Sequence, residues 1–480
     1  MSAPVENIKT FANTLTGKFI YHWILLCIVI PAITISFNIT RYADLVLVFP
    51  LIVICYCGTR LAIIAARGSN RIVEMTFWLY TYVFMGMYAC LQIEVGQFPW
   101  RGHYSNGLIA GAQILIIIGL VAFDIGRHVR IYRRKSSVAV ITTRFEISRA
   151  QLYLTAVIGI GLAIYATMKL GAFSTLFLNR TERFALISSR FNVAELSVYG
   201  SLAKTIVYVL LIVTLAYKIY DRKSNKPIYF LIFILFIFTT IENNPIATPR
   251  FQVGTILLGL YFIFPWNKHK AIIAIYGLLL GLIIIFPFAD LFRASNHPSL
   301  EVSIESHGSM NQIAKNPDYD SFQQVMNGMR MVQRDGFQYG RQITGALLFW
   351  VPRSMWPQKA EPTGVLIAEK NGYLFTNLSA PLWIEFYVDG GWLLVIPGFI
   401  FYGAFVRWAD DVRRKRAGRA TPAYLLVTIY AGYQIFLLRG SLMPAIAYLA
   451  PVVPIVLACG KWRRYRTTDQ VSAHENQIMP

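Results

Sequence analysis

Prolines frame two cations in the run Trp350-Val351-Pro352-Arg353-Ser354-Met355-Trp356-Pro357-Gln358-Lys359, which continues through Glu361 to Pro362. Each proline fixes its own φ and biases the preceding residue away from helix, so an extended, rigid loop presenting Arg353 and Lys359 is expected. A guanidinium forks onto phosphate oxygens and an ammonium adds a point charge, so the pair suits an anionic ligand. Trp350 and Trp356 are better read as members of an interfacial aromatic belt.

Carboxylates follow. Glu385 and Asp389 come after Asn377-Leu378-Ser379, and Asp389-Gly390-Gly391 is expected to open a long apolar helix. Four residues apart, the two acids share a face of any helix beginning by Leu382, and either suits a general base that takes a hydroxyl proton. Capping of a helix start is the structural alternative for Asp389. Arg250 and Arg439 sit in unusually short connections, Glu242-Asn243-Asn244-Pro245 to Pro249-Arg250 and Arg439-Gly440-Ser441. Ionisable groups recessed there would line a polar cavity or snorkel to headgroups. Ser321 to Arg334 has Phe322, Val325, Met326 and Met329 at helical spacing, with Arg330 and Arg334 on another face. It reads as an amphipathic helix lying on a membrane surface or capping a cavity. Gly336 and Gly340 end it, and Arg341 to Trp350 reads as a re-entrant or interfacial segment. Asp290 and Arg293 form a candidate ion pair behind these groups, while His297, His307 and Asp318-Tyr319-Asp320 read as solvated. No metal or other cofactor is expected. The five cysteines lie in apolar runs without disulfide or ligand spacing and read as buried thiols.

These groups must be positioned by membrane helices. Of the 480 residues, 56% are hydrophobic and 14% charged, against roughly 25% charged in soluble domains. Spans of about 20 apolar residues are expected near 19–39, 43–66, 73–95, 107–126, 151–169, 198–217, 228–242, 250–266, 271–290, 388–408, 422–438 and 441–460. The first is expected to be retained, since no cleavage site follows it. A net charge of +21 is explained by where it falls: Lys9 and Lys18, Arg60 to Arg71, Arg127 to Arg149, Lys218 to Lys226, Lys268 and Lys270, Arg407 to Arg419, and Lys461 to Arg466 occupy alternate connections. The positive-inside rule then puts both termini in the cytoplasm and argues against nucleic-acid binding. The expected fold is an all-α polytopic membrane protein of about twelve transmembrane helices. Residues 1–290 would form the first nine helices, 291–387 a large outer loop, 388–466 the last three helices, and 467–480 a polar cytoplasmic tail.

The run from Tyr319-Asp320-Ser321-Phe322 through Tyr339-Gly340 to Val351–Lys359, then Asp389-Gly390-Gly391, resembles the bacterial oligosaccharide repeat-unit polymerases (Wzy-type) that build O-antigen and exopolysaccharide. It covers about 75 residues, and Ala360 departs from the family's frequent proline. The resemblance implies a C-type glycosyltransferase of the bacterial inner membrane, independent of metal. Such an enzyme transfers a glycan from undecaprenyl pyrophosphate to another lipid-linked repeat unit outside the membrane. Arg353, Lys359, Arg250, Arg439, Arg341 and Arg330 are then expected to bind pyrophosphate, with Glu385 or Asp389 as base. Expected partners are undecaprenyl-pyrophosphate-linked glycans, membrane lipids, a chain-length regulator and a flippase. A lipid-linked oligosaccharide flippase or other transporter, or an O-antigen ligase, would share the helix pattern, and only the product separates the three.

The topology predicts that a cysteine at Ser309, in a variant lacking the native five, reacts with an impermeant thiol reagent in intact cells. Labelling only after lysis overturns it.

Overall fold

The computed structural model describes residues 14–35, 45–129, 142–171, 174–175, 178, 186–187, 193–221, 226–244, 248, 250–286 and 313–465. Pro245, Pro249, Asp290, Arg293, His297, His307, Ser309 and the tail from 467 lie outside the described residues. The helices are α1 Leu15–Thr34, α2 Val48–Arg67, α3 72–95, α4 Asn106–His128, α5 Arg149–Lys169, α6 Val193–Asp221, α7 Lys226–Glu242, α8 Arg250–Ile263, α9 268–285, α10 Ser321–Asp335, α11 Arg341–Leu347, α12 Thr363–Lys370, α13 Leu382–Gly390, α14 Trp392–Lys415, α15 Pro422–Arg439, α16 Leu442–Leu449 and α17 Val452–Ala458.

Among the described residues, α1, α2, α4, α5, α14 and the Leu202–Tyr220 part of α6 are long and apolar enough to cross a membrane. This is the architecture of a helical multi-pass membrane protein, in which each span satisfies its own backbone amides. The remaining apolar segments are shorter or interrupted. The 14 residues of α8 rise only about 21 Å, short of a hydrocarbon core of roughly 30 Å. The last expected span is broken between α16 and α17 at Pro451, whose missing N–H cannot continue the ladder. The span expected at 388–408 starts later, because Gly391 (φ 58°) separates α13 from α14. Asp389-Gly390-Gly391 therefore closes a short helix instead of opening the long one. π-helical turns at Leu25–Val29, Thr81–Met87 and Gly281–Ile285 widen α1, α3 and α9. The fold is all-α as expected, with one added two-stranded ribbon in which Thr142–Ile147 pairs antiparallel with Gly460–Tyr465.

The chain packs as two compact units. The first comprises 1–129, 266–411 and 434–447, the second 130–265, 412–433 and 448–480. In the first, Phe77 of α3 stacks on Phe123 of α4 at 3.7 Å between centroids, with Trp383 and Tyr402 at 6.0 and 5.9 Å. Small residues let α4 and α14 meet backbone to backbone. A Cβ on Gly126 would collide with the Ile400 carbonyl, and one on Gly403 with the Phe123 carbonyl. Such glycine contacts bring membrane helices together where hydrophobic burial offers no driving force.

A buried ion network lies in the same unit. Asp124 is paired with Arg60, and its carboxylate also accepts from Tyr56 Oη (2.7 Å) and Arg127 Nε (2.9 Å). Arg127 continues to Glu74 (2.7 Å), which also pairs with Arg71 (3.0 Å). Asp410 accepts from the backbone amides of Val73 and Glu74, both at 3.0 Å, at the start of α3. In the second unit, Gly159 of α5 lies against Ile206 and Leu210 of α6. The fully buried Arg413 donates to the Phe262 carbonyl (2.7 Å) and lies over the Tyr424 ring.

The glycine crossing predicts that Gly126→Val or Gly403→Val destabilises the protein by at least the ~1–3 kcal/mol of core overpacking, because rigid backbone must give way. Folded yield and thermal midpoint in detergent measure the loss. Wild-type values for both variants contradict the crossing.

Candidate functional site

Helix α10 was expected to lie on a membrane surface or to cap a cavity, and all but its last residues and Arg330 are buried. The hydrophobic spacing was right, but its polar face also has partners. Gln323 accepts from the Trp100 amide (2.9 Å) and donates to the Trp100 carbonyl and Tyr104 Oη (both 2.7 Å). Asn327 accepts from Tyr104 Oη (2.8 Å) and donates to Tyr373 Oη (3.1 Å). Buried amides are tolerated only when so satisfied, and here they bind the segment between α3 and α4 against α10.

Asp320, just before α10, is 1% exposed, which corrects the solvated turn expected at Asp318-Tyr319-Asp320. Its carboxylate accepts from Trp100 Nε1 (3.0 Å), Ser379 Oγ and Arg439 Nη2 (3.3 Å). Arg439 also donates to the carbonyls of Asp318 (3.1 Å) and Pro317 (3.2 Å). Arg439 is thus largely buried, and it holds the chain that enters α10.

Glu385 and Asp389 share one face of α13, which begins at Leu382. Both are buried, and both already accept hydrogen bonds. Glu385 takes Thr363 Oγ1 (2.6 Å) and the Leu442 amide (2.7 Å), tying α13 to the starts of α12 and α16. Asp389 takes the amides of Gln342 (3.0 Å) and Ile343 (2.8 Å), capping α11 from outside. Capping was the alternative weighed for Asp389, although the helix capped is a different one. Burial raises Asp389, against the pull of those amides, and pushes Glu385 up to about 7.

The proline-framed run is folded into turns, not extended: Met355 and Trp356 amides donate to the Pro352 carbonyl and Lys359 to Trp356. Arg353 donates to the carbonyls of Lys359 (3.0 Å) and Ala360 (3.3 Å) and pairs with Glu361 at 2.7 Å. Lys359 Nζ donates to the carbonyls of Phe349 (2.5 Å) and Val351 (3.0 Å), and burial followed by Arg353 lowers its pKa. Arg341 donates to the Gln358 carbonyl (3.0 Å). These three cations therefore satisfy the loop's own backbone.

Arg330 is placed differently. It donates to the His103 carbonyl, lies over the Tyr104 ring at 4.7 Å, and lines an open cavity of about 560 Å³ with His103, Ser105, Met329 and Gln333. Here α10 caps a cavity, the second of its two expected positions. A neighbouring cavity of about 310 Å³ shares His103 and is bordered by Leu47, Ile93, Phe98 and Ile109. Arg250 begins α8 in the second unit.

His103 carried no sequence signal. Glu74 and Asp124 did, as acids inside apolar spans. Among the described residues no three His, Cys, Asp or Glu side chains are grouped as a metal ion would require. No family model, curated protein or solved structure matches this chain.

Glu385 generates a pH prediction. With its folded pKa near 7 against an ordinary 4.5, the folded state keeps a proton that the unfolded state releases. Its contribution favours folding at low pH, declines as pH rises from about 4.5 to 7, and is level above. Thermal midpoints in detergent across pH 5 to 8 should show this decline in wild type and less of it in Glu385→Gln. Equal pH slopes refute the assignment.

Proposed function

We propose that this protein is a glycosyltransferase that joins undecaprenyl-pyrophosphate-linked oligosaccharide repeat units on the outer face of a bacterial inner membrane. The observation that carries the reading is the cavity beside Arg330, an arginine with donors to spare at the rim of an open cleft. The alternation of basic connections expected from the sequence supports an outer position for this cleft, on the side where lipid-linked repeat units are joined. The proline-framed motif adds the family resemblance.

In this reaction an acceptor hydroxyl attacks the donor's anomeric carbon. The bond to pyrophosphate breaks and undecaprenyl pyrophosphate leaves with the bonding electrons. Charge grows on the departing phosphate oxygens, and a preorganised guanidinium stabilises it most where it is greatest. Arg330 fills that role. His103, which lines the same cleft, takes the hydroxyl proton in this scheme. Glu385 and Asp389, committed to backbone and hydroxyl donors, support α11, α12 and α16 in this scheme. Arg439 and Asp320 set the position of α10, while Arg353, Lys359 and Arg341 hold the following loop. A flippase would deliver the substrate, and a chain-length regulator would act on the product.

Purified protein given lipid-linked repeat units should produce a ladder of lengthened glycans. One addition to a lipid A core would instead identify a ligase, and movement without bond formation a transporter. Arg330→Ala should lower turnover at least about tenfold at normal abundance, since one charged hydrogen bond contributes roughly 1.5–3 kcal/mol. Arg330→Lys should recover part of it. Arg353→Ala should reduce folded abundance more than turnover per folded molecule. Near-normal turnover in Arg330→Ala removes Arg330 from the site.

A further inference from the structure

The segment from Arg341 to Glu361 combines cations that serve its own carbonyls with exposed apolar side chains. Its charged side chains turn onto its own backbone: Arg341 reaches the Gln358 carbonyl, Lys359 those of Phe349 and Val351, and Arg353 those of Lys359 and Ala360. Backbone amides are occupied too, Leu348 on Thr344, Val351 on Leu348 and Trp356 on Pro352. The remaining charge on Arg353 is balanced by Glu361. Large apolar side chains point outward beside the half-exposed Arg353 and Glu361, with Leu347 58%, Trp350 64% and Met355 78% exposed. Water would solvate those carbonyls at no cost and penalise those side chains. Hydrocarbon imposes the opposite demand, that polar backbone be satisfied internally.

The segment is also fastened to the entry of a membrane-spanning helix. Phe337 lies against Gly391, the Gln338 amide donates to the Val388 carbonyl, and Asp389 caps α11. Immediately beyond, α14 exposes Leu393 (90%) and Phe401 on an apolar face. The start of the segment is thus held at the start of α14, which carries an exposed apolar face of its own.

We infer that residues 341–361 form a monotopic wedge seated among phospholipid acyl chains beside the start of α14, with Leu347, Trp350 and Met355 as its lipid-contacting residues. Lys359 and Arg353 favour this position by satisfying the carbonyls of Phe349, Val351, Lys359 and Ala360, while Arg353 and Glu361 lie at headgroup depth. Proline suits such a wedge because each one removes a backbone N–H that lipid would leave unsatisfied.

Spin labels at Leu347→Cys and Met355→Cys, each in a variant with the five native cysteines replaced, test the wedge in phosphatidylethanolamine–phosphatidylglycerol vesicles. Phe401→Cys serves as lipid reference and Glu369→Cys as water reference. Both wedge labels should follow Phe401→Cys, relaxed by oxygen and shielded from a nickel chelate. Nickel accessibility like that of Glu369→Cys overturns the proposal, and so does protection from both reagents, which would signal contact with a second copy. A second measurement keeps the native cysteines: brominated acyl chains should quench wild-type tryptophan fluorescence more than that of Trp350→Phe. Equal quenching refutes lipid contact at Trp350.

Discussion

Asp320 gathers donors from widely separated parts of the chain: Trp100 before α4, Ser379 before α13, and Arg439 at the end of α15. A carboxylate buried to this degree is unfavourable unless paired, and removing one partner of a buried pair typically costs about 3–5 kcal/mol. Its partners are therefore committed together. Because Asp320 directly precedes α10, the same interaction fixes where that helix begins. The amide pairs of Gln323 and Asn327 then bring Trp100, Tyr104 and Tyr373 to it.

Polar packing gives this region a specificity that apolar packing alone would not. Hydrophobic faces tolerate sliding by a residue or two, whereas an amide with named donors and acceptors fits one register. The cavity at Arg330 follows from that register, since Arg330 and Gln333 lie three and six residues beyond Asn327 on the same helix. The ion network of Glu74, Asp124, Arg60 and Arg127 fixes α2, α3 and α4 in a comparable way.

The six long apolar helices were legible from the sequence because a membrane span announces itself by length and composition. The short α7 and α8 were legible too, from the spacing of polar residues in their connections. What spacing could not supply was the partner of each polar group. Residues 321–334 have the period of an amphipathic helix whether their polar face meets water or Trp100 and Tyr104. The prolines around Arg353 suggested extension because local rules do not include a lysine that folds back onto Phe349 and Val351. Asp389-Gly390-Gly391 suggested a helix start, but the left-handed backbone at Gly391 makes it a stop. His103 stands in a connection whose importance comes only from the helix packed over it.

The crossing of α4 and α14 at Gly126 and Gly403 has a mechanical side. With backbone against backbone there is no side chain to change rotamer, so neither helix can ratchet past the other. Arg407 on the Arg127 carbonyl (2.7 Å) adds a second hold one turn beyond Gly403. The crossing thus acts as a clamp that sets the height of α14 against α4, and with it the level from which the short helices before α14 are hung.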